Sequence, residues 1–343
     1  MGAGWQLGDD AWLAVWAKSD RDERGVCVEW APLYQHLDDA MAVAGRLVDE
    51  WVSPQVLGRV GRELPDGVSG VRVLACWLAG VHDVGKVSPA FAVQVRELAD
   101  YMRRFGLGPL PQVANSPSRR EVSHAIVGHL AVREWLTDEL GFAFRRGIAA
   151  QLGAIVGGHH GVPAEQSQLD LASAHSELVG TGPWAQVREL FLERATDRIG
   201  GRDVLLRYRD VRLSRPSQAL LTAIVIVADW IASNSDLFPL RPVAALPDSP
   251  ARPDDGVTTS RLEYGWARLN LPPRWSARPP ARRGDQLFRD RFDRPGASMR
   301  PVQRAAVEAA LAQREPGLIV VEAPMGTGKT EAALLAAEVL AAR

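Results

Sequence analysis

The 343-residue chain has little cysteine, almost no net charge and no long uninterrupted apolar run. Its two cysteines, Cys27 and Cys76, are too few for a disulfide framework or a zinc ribbon, which fits a reducing cytoplasm. The formal net charge of −1 provides no global positive field that would by itself indicate nucleic-acid binding. The longest apolar stretch, 219–228, is interrupted by Asp229 and is too short to span a bilayer. These features predict a soluble cytoplasmic protein without a membrane segment.

Over most of residues 1–240, apolar side chains recur at three- and four-residue spacing, which predicts a mostly α-helical domain. One predicted helix runs from Pro32 to Val52 and places His36 on its first turn, near the apolar face. Segment 241–295 is rich in proline, which predicts a linker without regular helix and with at most a short ordered patch around 262–266. A second unit is expected from residue 296 onward.

Histidine and aspartate recur in five separate segments of the helical part. These residues are His36, His82, Asp83, His124, His159, His160 and Asp229. Imidazole and carboxylate groups are ligands of first-row divalent metals, and this many suggests two ions that share a bridging carboxylate. A lone His-Asp pair is more often a core histidine beside a helix-capping aspartate, so the metal hypothesis depends on the whole set.

Some assignments within this set stay open at the level of the residues. His124 and His129 are five residues apart and face different sides of a predicted helix, so only one of them is expected to be a ligand. Lys86 lies three residues after Asp83 and would contact a substrate phosphate or orient Asp83. Asp229 lies in an otherwise apolar helix and needs a partner, either an arginine, a backbone cap or, as we favour, a metal. His175 lies in a polar stretch and is predicted to be solvated.

A phosphate-binding loop is predicted near the end of the chain. The sequence Ala323-Pro324-Met325-Gly326-Thr327-Gly328-Lys329-Thr330 follows a predicted short buried strand at 318–321 and precedes a predicted helix from Lys329 to Ala342. Strand, glycine-rich loop and helix are the context that such a loop requires. Its expected phosphate-binding residues are Gly326, Thr327, Gly328, Lys329 and Thr330.

These elements resemble the HD superfamily of metal-dependent phosphohydrolases and, more narrowly, the CRISPR-associated nuclease–helicases of type I systems. The narrower resemblance is carried, over the first 240 or so residues, by HDVGK at 82–86, GHHG at 158–161 and ADWIASN at 228–234. Segment 300–303, RPVQ, resembles the glutamine motif of superfamily-two helicases, with Gln303 on the adenine side, and 323–330 resembles their first helicase motif.

The resemblance implies three regions: an all-helical HD-type domain over 1–240, a proline-rich linker over 241–295, and the first βα unit of a RecA-like α/β domain over 296–343. It assigns one metal to His36, His82, Asp83 and Asp229, and a second metal to Asp83, His124, His159 and His160. Asp83 and Lys86 are the expected catalytic residues. The histidine-rich ligand sets favour Mn, Fe, Co or Ni over Mg, which prefers oxygen ligands.

The implied function is a single-stranded DNA endonuclease that acts on DNA displaced by the guide-RNA surveillance complex (Cascade) and is coupled to ATP-driven unwinding. Two alternatives stay open: an HD phosphohydrolase acting on small nucleotides, and a non-catalytic docking module with structural metals. ATP with Mg is expected only in the full-length protein, because the second acidic motif and the arginine of a helicase do not fit after Thr330. The chain is therefore expected to be an N-terminal part that does not hydrolyse ATP. A lone βα unit buries little apolar surface, so residues 296–343 are expected to pack on the helical domain or to be mobile.

Overall fold

The computed structural model describes residues 10–144, 147–248, 252–274, 282–315 and 317–342, and the chain divides into two compact units, Met1–Arg274 and Trp275–Arg343. The first unit is mainly helical, as predicted. Its helices are α1 (Leu33–Arg46), α2 (Pro54–Gly61), α3 (Gly67–Val81), α4 (Pro89–Ala92), α5 (Arg96–Arg104), α6 (His124–Asp138), α7 (Ile148–Gly157), α8 (Gln166–Ala174), α9 (Ser176–Val179), α10 (Pro183–Arg198), α11 (Arg202–Leu206), α12 (Arg215–Ala232) and α13 (Asp255–Leu269).

A small antiparallel sheet, which helical periodicity does not predict, is formed by two strands that precede α1 and one that follows α12. Its strands are β1 (Trp16–Arg21), β2 (Cys27–Pro32) and β3 (Arg241–Pro242), in the order β1-β2-β3. The carboxylate of Asp22 closes the β1–β2 turn by accepting hydrogen bonds from the backbone N–H groups of Arg24 and Val26, both at 2.9 Å. Gly25 adopts a φ of 78°, which an L side chain rarely adopts.

Helix α12 lies at the centre of the first unit, where it packs on α1, α3 and α7. It begins after Ser214, whose side chain caps the N–H of Ser217, and Pro216 occupies its first turn. Leu221, Val225 and Ala228 of α12 are buried. Asp229 is buried as well, in the part of the core where α12 packs on these helices. The packing of helices from distant parts of the chain therefore decides which residues can meet Asp229.

The expectation that 241–295 lacks regular helix is wrong. Helix α13 spans Asp255–Leu269, a stretch without proline, and the prolines of the region lie outside it. The Asp254 side chain accepts a hydrogen bond from the Gly256 N–H at its start, and Asn270 ends it with a left-handed φ of 47°. Residues 249–251 and 275–281 of the expected linker lie outside the described residues.

Helix α13 belongs to the first unit, because it packs against α1. Its Arg261 forms an ion pair of 2.9 Å with the buried Asp39 of α1, and its Thr258 hydroxyl accepts a hydrogen bond of 3.2 Å from Gln35. The two compact units divide after Arg274, which falls inside the segment predicted as a linker.

The second unit contains α14 (Gly284–Phe292), α15 (Pro301–Ala312) and α16 (Lys329–Ala341). These helices share a hydrophobic core of their own, whereas the sequence predicted a lone βα unit with little buried surface. The members of this core are Leu287, Phe288, Met299, Ala306, Val307, Ala310, Ala332, Leu335, Ala336 and Val339. The core exists because α14, from the expected linker, contributes two large apolar side chains.

The prediction of a short buried strand at 318–321 is wrong. This segment has no regular secondary structure, and Leu318 and Val320 are 85% and 76% exposed. A strand is held by hydrogen bonds to a neighbouring strand, and the described residues of this unit provide no partner. Across the described ranges, no helix is long and apolar enough to cross a membrane.

Candidate metal centre

Five segments of the first unit bring the predicted histidines and aspartates to one place. His36 lies on the first turn of α1, His82 and Asp83 follow the end of α3, and His124 begins α6. His159 and His160 follow α7, which ends at Gly157, and Asp229 lies near the end of α12. Most of these side chains therefore lie at or near helix ends.

Gly85 permits the close approach that joins Asp83 to His124. It lies in the short 3₁₀ turn Val84–Lys86, which packs directly on the first turns of α6. A Cβ atom at Gly85 would lie 1.9 Å from the carbonyl oxygen of His124 and 2.4 Å from the backbone nitrogen of Gly128. Because backbone atoms cannot yield as side chains do, only glycine fits here.

The first group of candidate ligands comprises His36, His82, Asp83 and Asp229. One ligand atom from each lies within 4.8 Å of all the others, and all four residues are buried. The Nε2 atom of His36 is 3.1 Å from Asp83 Oδ2 and 3.2 Å from Asp229 Oδ1. The Nε2 atom of His82 is 3.4 Å and 3.3 Å from the same two oxygens.

The second group comprises His124, His159 and His160, whose ring nitrogens also lie within 4.8 Å of one another. It faces the other carboxylate oxygen of Asp83: Oδ1 is 3.4 Å from His124 Nε2 and 3.5 Å from His159 Nε2. The Nε2 atoms of His124 and His160 are 2.9 Å apart. The two oxygens of Asp83 thus face two separate groups of imidazoles, so this one carboxylate could contact an ion in each group.

Hydrogen bonds to the backbone fix the orientation of two buried imidazoles. The Nδ1 atom of His82 lies 2.7 Å from the carbonyl oxygen of Ala79, and Nδ1 of His159 lies 2.6 Å from that of Val156. Each contact requires a proton on Nδ1, so Nε2 is the ring nitrogen that faces the site and is left to bind a metal. The buried Nε2 atoms of His36, His82 and His159 have no hydrogen-bond partner among the described residues. These buried nitrogens without a partner fit a divalent metal, which would supply the missing partner to their neutral form.

Further contacts hold the two carboxylates. Lys86 Nζ forms an ion pair of 2.6 Å with Asp83 Oδ2 and donates a hydrogen bond of 2.9 Å to the carbonyl oxygen of Ala17 in β1. The Ser233 hydroxyl donates to Asp229 Oδ1 at 2.7 Å, and Lys18 Nζ lies 3.4 Å from the same oxygen. The Asp83 side chain makes no helix-cap hydrogen bond, which excludes the simple capping interpretation of this residue.

The pKa values of the site reflect competition between burial and ion pairing. Burial would raise the pKa of Asp83, but Lys86 and His82 outweigh it and hold the pKa well below the usual range. Burial would likewise raise the pKa of Asp229, yet its contacts with His36 and His82 lower it. Both carboxylates are therefore ionised at neutral pH, as metal ligands must be.

The pKa values of the histidines also depend on whether burial or a neighbouring carboxylate has the larger effect. Burial lowers the pKa of His124 to about 3 and also lowers the pKa values of His36 and His160. His82 differs, because Asp83 and Asp229 outweigh its burial and raise its pKa to about 9. His36, His124 and His160 are therefore neutral at neutral pH, and the neutral imidazole is the form that binds metals.

The structure brings His124 into the site and leaves His129 outside. His129 is buried beside Gly157, with its Cβ 3.0 Å from the position of an added Cβ there, and its Nδ1 atom has no hydrogen-bond partner among the described residues. His175, predicted to be solvated, has a partly exposed side chain that forms a 2.8 Å contact with Glu177 Oε1. Sequence reasoning missed Lys18, because the strand that carries it gave no recognisable signal.

The predicted nucleotide loop lies in the second unit. Gly326 and Gly328 have positive φ angles of 74° and 86°, and α16 begins at Lys329 and continues through Thr330. Lys329 Nζ donates hydrogen bonds to the carbonyl oxygens of Ala323 and Pro324, at 2.6 and 3.1 Å, within its own loop. Two further contacts tie this loop together: the Thr327 hydroxyl donates to the carbonyl oxygen of Pro324, and the Gln303 side chain donates to that of Gly328.

Known proteins with similar sequences show where the chain belongs. A family model described as "Cas3, HD domain" matches residues 16–238. The chain is 29% identical over 355 residues to the CRISPR-associated nuclease/helicase Cas3 of Streptococcus thermophilus, an alignment that covers 96% of this chain and 35% of that protein. It is 32% identical over 337 residues to the CRISPR-associated endonuclease/helicase Cas3 of Thermus thermophilus, covering 97% of this chain and 33% of that protein. The chain thus spans about a third of the length of these curated relatives.

Solved structures are similar in fold. One described as a CRISPR-associated protein has a TM-score of 0.71 at 28% identity and covers 98% of this chain and 35% of that chain. T. fusca Cas3 with ATP has a TM-score of 0.61 at 26% identity, covering 98% and 34%. The crystal structure of the T. thermophilus Cas3 HD domain in the presence of Ni²⁺ has a TM-score of 0.51 at 26% identity, covering 76% of this chain and 92% of that one. Because the family model matches well over half of its residues, this chain belongs to the family of the Cas3 HD domain.

Proposed function

We propose that the first unit is a divalent-metal-dependent nuclease that cuts single-stranded DNA in type I CRISPR interference. The observation that carries the proposal is the position of Asp83, whose two carboxylate oxygens face two groups of imidazole nitrogens at 3.1–3.5 Å. One ion would be held by His36, His82, Asp83 and Asp229, and the other by Asp83, His124, His159 and His160. When bound, two such ions would supply Lewis acidity, which would polarise a phosphodiester and make water a better nucleophile.

The residues of the chain prepare this site. Lys86 is only 4% exposed and contacts Asp83 and the Ala17 carbonyl group, so its contacts favour a role in positioning Asp83 over direct contact with a substrate phosphate. Ser233 and Lys18 hold Asp229 in the same way. The site is preorganised, because its ligands are fixed before substrate binds.

The exposure of the second group supports catalysis over a purely structural metal. His160 is exposed and the His124 side chain is 19% exposed, whereas the four residues of the first group are buried. A structural site encloses its metal, but a catalytic site keeps a position that substrate can reach. The donor set also supports Mn, Fe, Co or Ni, since imidazole suits these metals better than Mg. The solved HD domain of T. thermophilus Cas3 in the presence of Ni²⁺ is consistent with this choice.

The proposal extends to partners and to the second unit. The curated relatives are named CRISPR-associated nuclease/helicases, which supports recruitment by the guide-RNA surveillance complex (Cascade). In a protein with the full length of those relatives, Gly326, Thr327, Gly328, Lys329 and Thr330 would bind the phosphates of ATP with Mg, and Gln303 would lie on the adenine side. The solved structure of T. fusca Cas3 with ATP supports this assignment.

The nuclease proposal is tested by incubating the chain with circular single-stranded DNA and Mn, Co or Ni, without ATP. We expect metal-dependent nicking that chelation stops, and poor cutting of duplex DNA, because paired strands cannot enter a narrow metal cleft without unwinding. His159→Ala should reduce nicking by at least about 100-fold, whereas His175→Ala, the same change at a histidine outside the site, should not. Faster release of phosphate from dNTPs than cleavage of single-stranded DNA would instead favour the small-nucleotide alternative.

A further inference from the structure

A cavity of about 470 Å³ lies beside the second group of candidate ligands. His124 is part of its wall, which places the cavity next to the metal centre, and Arg119 and Arg120 line it as well. This volume lies within the range typical of sites for small organic ligands and cofactors.

The two arginines are free to bind an anion. Neither Arg119 nor Arg120 has a side-chain hydrogen bond or ion pair within the described part of the chain, and the residues lining the cavity include no carboxylate. This contrasts with the whole chain, whose formal net charge is −1. Guanidinium groups bind phosphate oxygens in bidentate fashion, and an unpaired one has no competing partner to displace.

The start of α6 adds to this positive potential. Ser123 caps the helix by accepting a hydrogen bond of 3.4 Å from the Ile126 N–H, and Ser123 and His124 both line the cavity. The 15-residue helix therefore directs its N-terminal partial positive charge at the same space as the arginines.

The remaining lining is largely apolar. It includes Phe91, Val93, Ala114 and Val122, and the Phe91 ring packs edge-on against His124 with 5.7 Å between ring centroids. The cavity wall thus combines apolar side chains with two cationic ones, which matches the two parts of a nucleotide, since a base packs on apolar or aromatic groups and a phosphate binds arginine.

We propose that this cavity is a subsite for the nucleotide adjacent to the scissile phosphodiester, on the side of the second group, and that Arg119 and Arg120 bind the phosphates that flank it. The inference rests on the proposed nuclease function and deepens it by assigning a place to the substrate. The substrate is an unpaired strand, because a base inside a duplex stays in its stack and cannot enter a pocket without being flipped out. Both arginines bind substrate and take no part in bond cleavage.

The test measures binding of a fluorescent single-stranded oligothymidylate to the intact chain by anisotropy, in EDTA, across a range of salt concentrations. The double variant Arg119→Gln, Arg120→Gln should weaken binding by about tenfold or more. It should also reduce the slope of log Kd against log salt by roughly 1.4, because each phosphate contact on a single strand contributes about 0.7. The pair Arg119→Lys, Arg120→Lys retains the charges and should restore the slope.

A matched control removes two positive charges elsewhere. Arg212 and Arg215 are exposed and lie just before and at the start of α12. Asp229 is 14 residues after Arg215 on that helix, so Arg215 lies about 20 Å from this candidate ligand. The double variant Arg212→Gln, Arg215→Gln should keep both the affinity and the slope of the parent.

The outcomes separate the subsite from the nuclease. The subsite is refuted if the parent does not bind the oligonucleotide, or if the Arg119, Arg120 variant keeps the parent's affinity and slope. If that variant loses affinity and slope as expected, but the parent never nicks single-stranded DNA with any of the three metals, the subsite stands and the nuclease proposal fails.

Discussion

Asp83 is the residue on which both groups of imidazoles depend, since each of its oxygens faces one group. Asp83→Ala should therefore remove a ligand from both metals, reduce nicking by more than about 100-fold, and lower the bound Mn below two per chain. Nicking assays and equilibrium metal titration measure these effects. Retention of two bound ions together with activity would contradict the bridging role.

The same substitution should destabilise the metal-free protein, because it leaves the buried Lys86 without its anion. Loss of one partner of a buried pair costs about 3 kcal/mol or more, whereas an apolar replacement of both is far less costly. In EDTA, we expect Asp83→Ala to lower the free energy of urea unfolding by about that amount, and the double variant Asp83→Ala, Lys86→Met to recover most of it while remaining inactive. Equal stability of the two variants would argue against the ion pair.

His129 should make stability depend on pH, although it lies outside the metal centre. Burial, together with Arg133, lowers its pKa to about 4, against 6.5 for the ordinary side chain. As pH falls, the unfolded chain takes up the proton before the folded one, so the stability is fully present above pH 6.5 and is lost as the pH falls towards 4. We expect the free energy of unfolding, measured with urea in EDTA, to fall between pH 6.5 and pH 4 in both proteins. The fall should be smaller in His129→Gln than in the parent, by on the order of 3 kcal/mol. Identical pH profiles would show that His129 titrates normally.

At the scale of single residues, the sequence pointed to histidines and aspartates that the structure brings together, but it could not decide between candidates on one helix. His124 and His129 have the same side chain and lie on one helix, and the helix packs with its start against Gly85, which places His124 beside Asp83. Lys18 reaches Asp229 from 211 residues away in the chain, a relation that no local spacing encodes.

The helices that carry the site were predictable, because apolar spacing reflects burial against the core. Helix α13 was not, because the surrounding prolines obscured a proline-free stretch of 15 residues. The buried strand at 318–321 was predicted from composition alone, but a strand also needs hydrogen-bonding neighbours, which a local apolar run cannot reveal.

The contact between α13 and α1 includes one buried ion pair and one at the surface. Arg261 contacts Asp39, which is 1% exposed, whereas Glu263 on the same helix pairs with Arg46 at the surface. Arg261→Met should lower the free energy of unfolding by about 3 kcal/mol, because Asp39 stays buried without a cation. Glu263→Gln should change it by less than about 1 kcal/mol. Chemical denaturation of both variants checks this, and similar costs for the two would contradict the distinction.

Across the whole molecule, the candidate nuclease residues and the phosphate-binding loop lie in different compact units. Lys329 contacts carbonyl groups of its own loop, so Lys329→Ala should leave metal-dependent nicking by this chain unchanged in the absence of ATP. Initial rates of nicking with Mn measure this, and His175→Ala provides a neutral reference. A reduced rate for Lys329→Ala would show that the loop supports the metal centre.

The central claim is that two divalent ions share Asp83. Anomalous scattering from crystals soaked in manganese tests it most directly. The account predicts two peaks roughly 3.5–4 Å apart, one beside His36, His82 and Asp229 and the other beside His124, His159 and His160, with Asp83 between them. A single peak, or none beside these side chains, would contradict it.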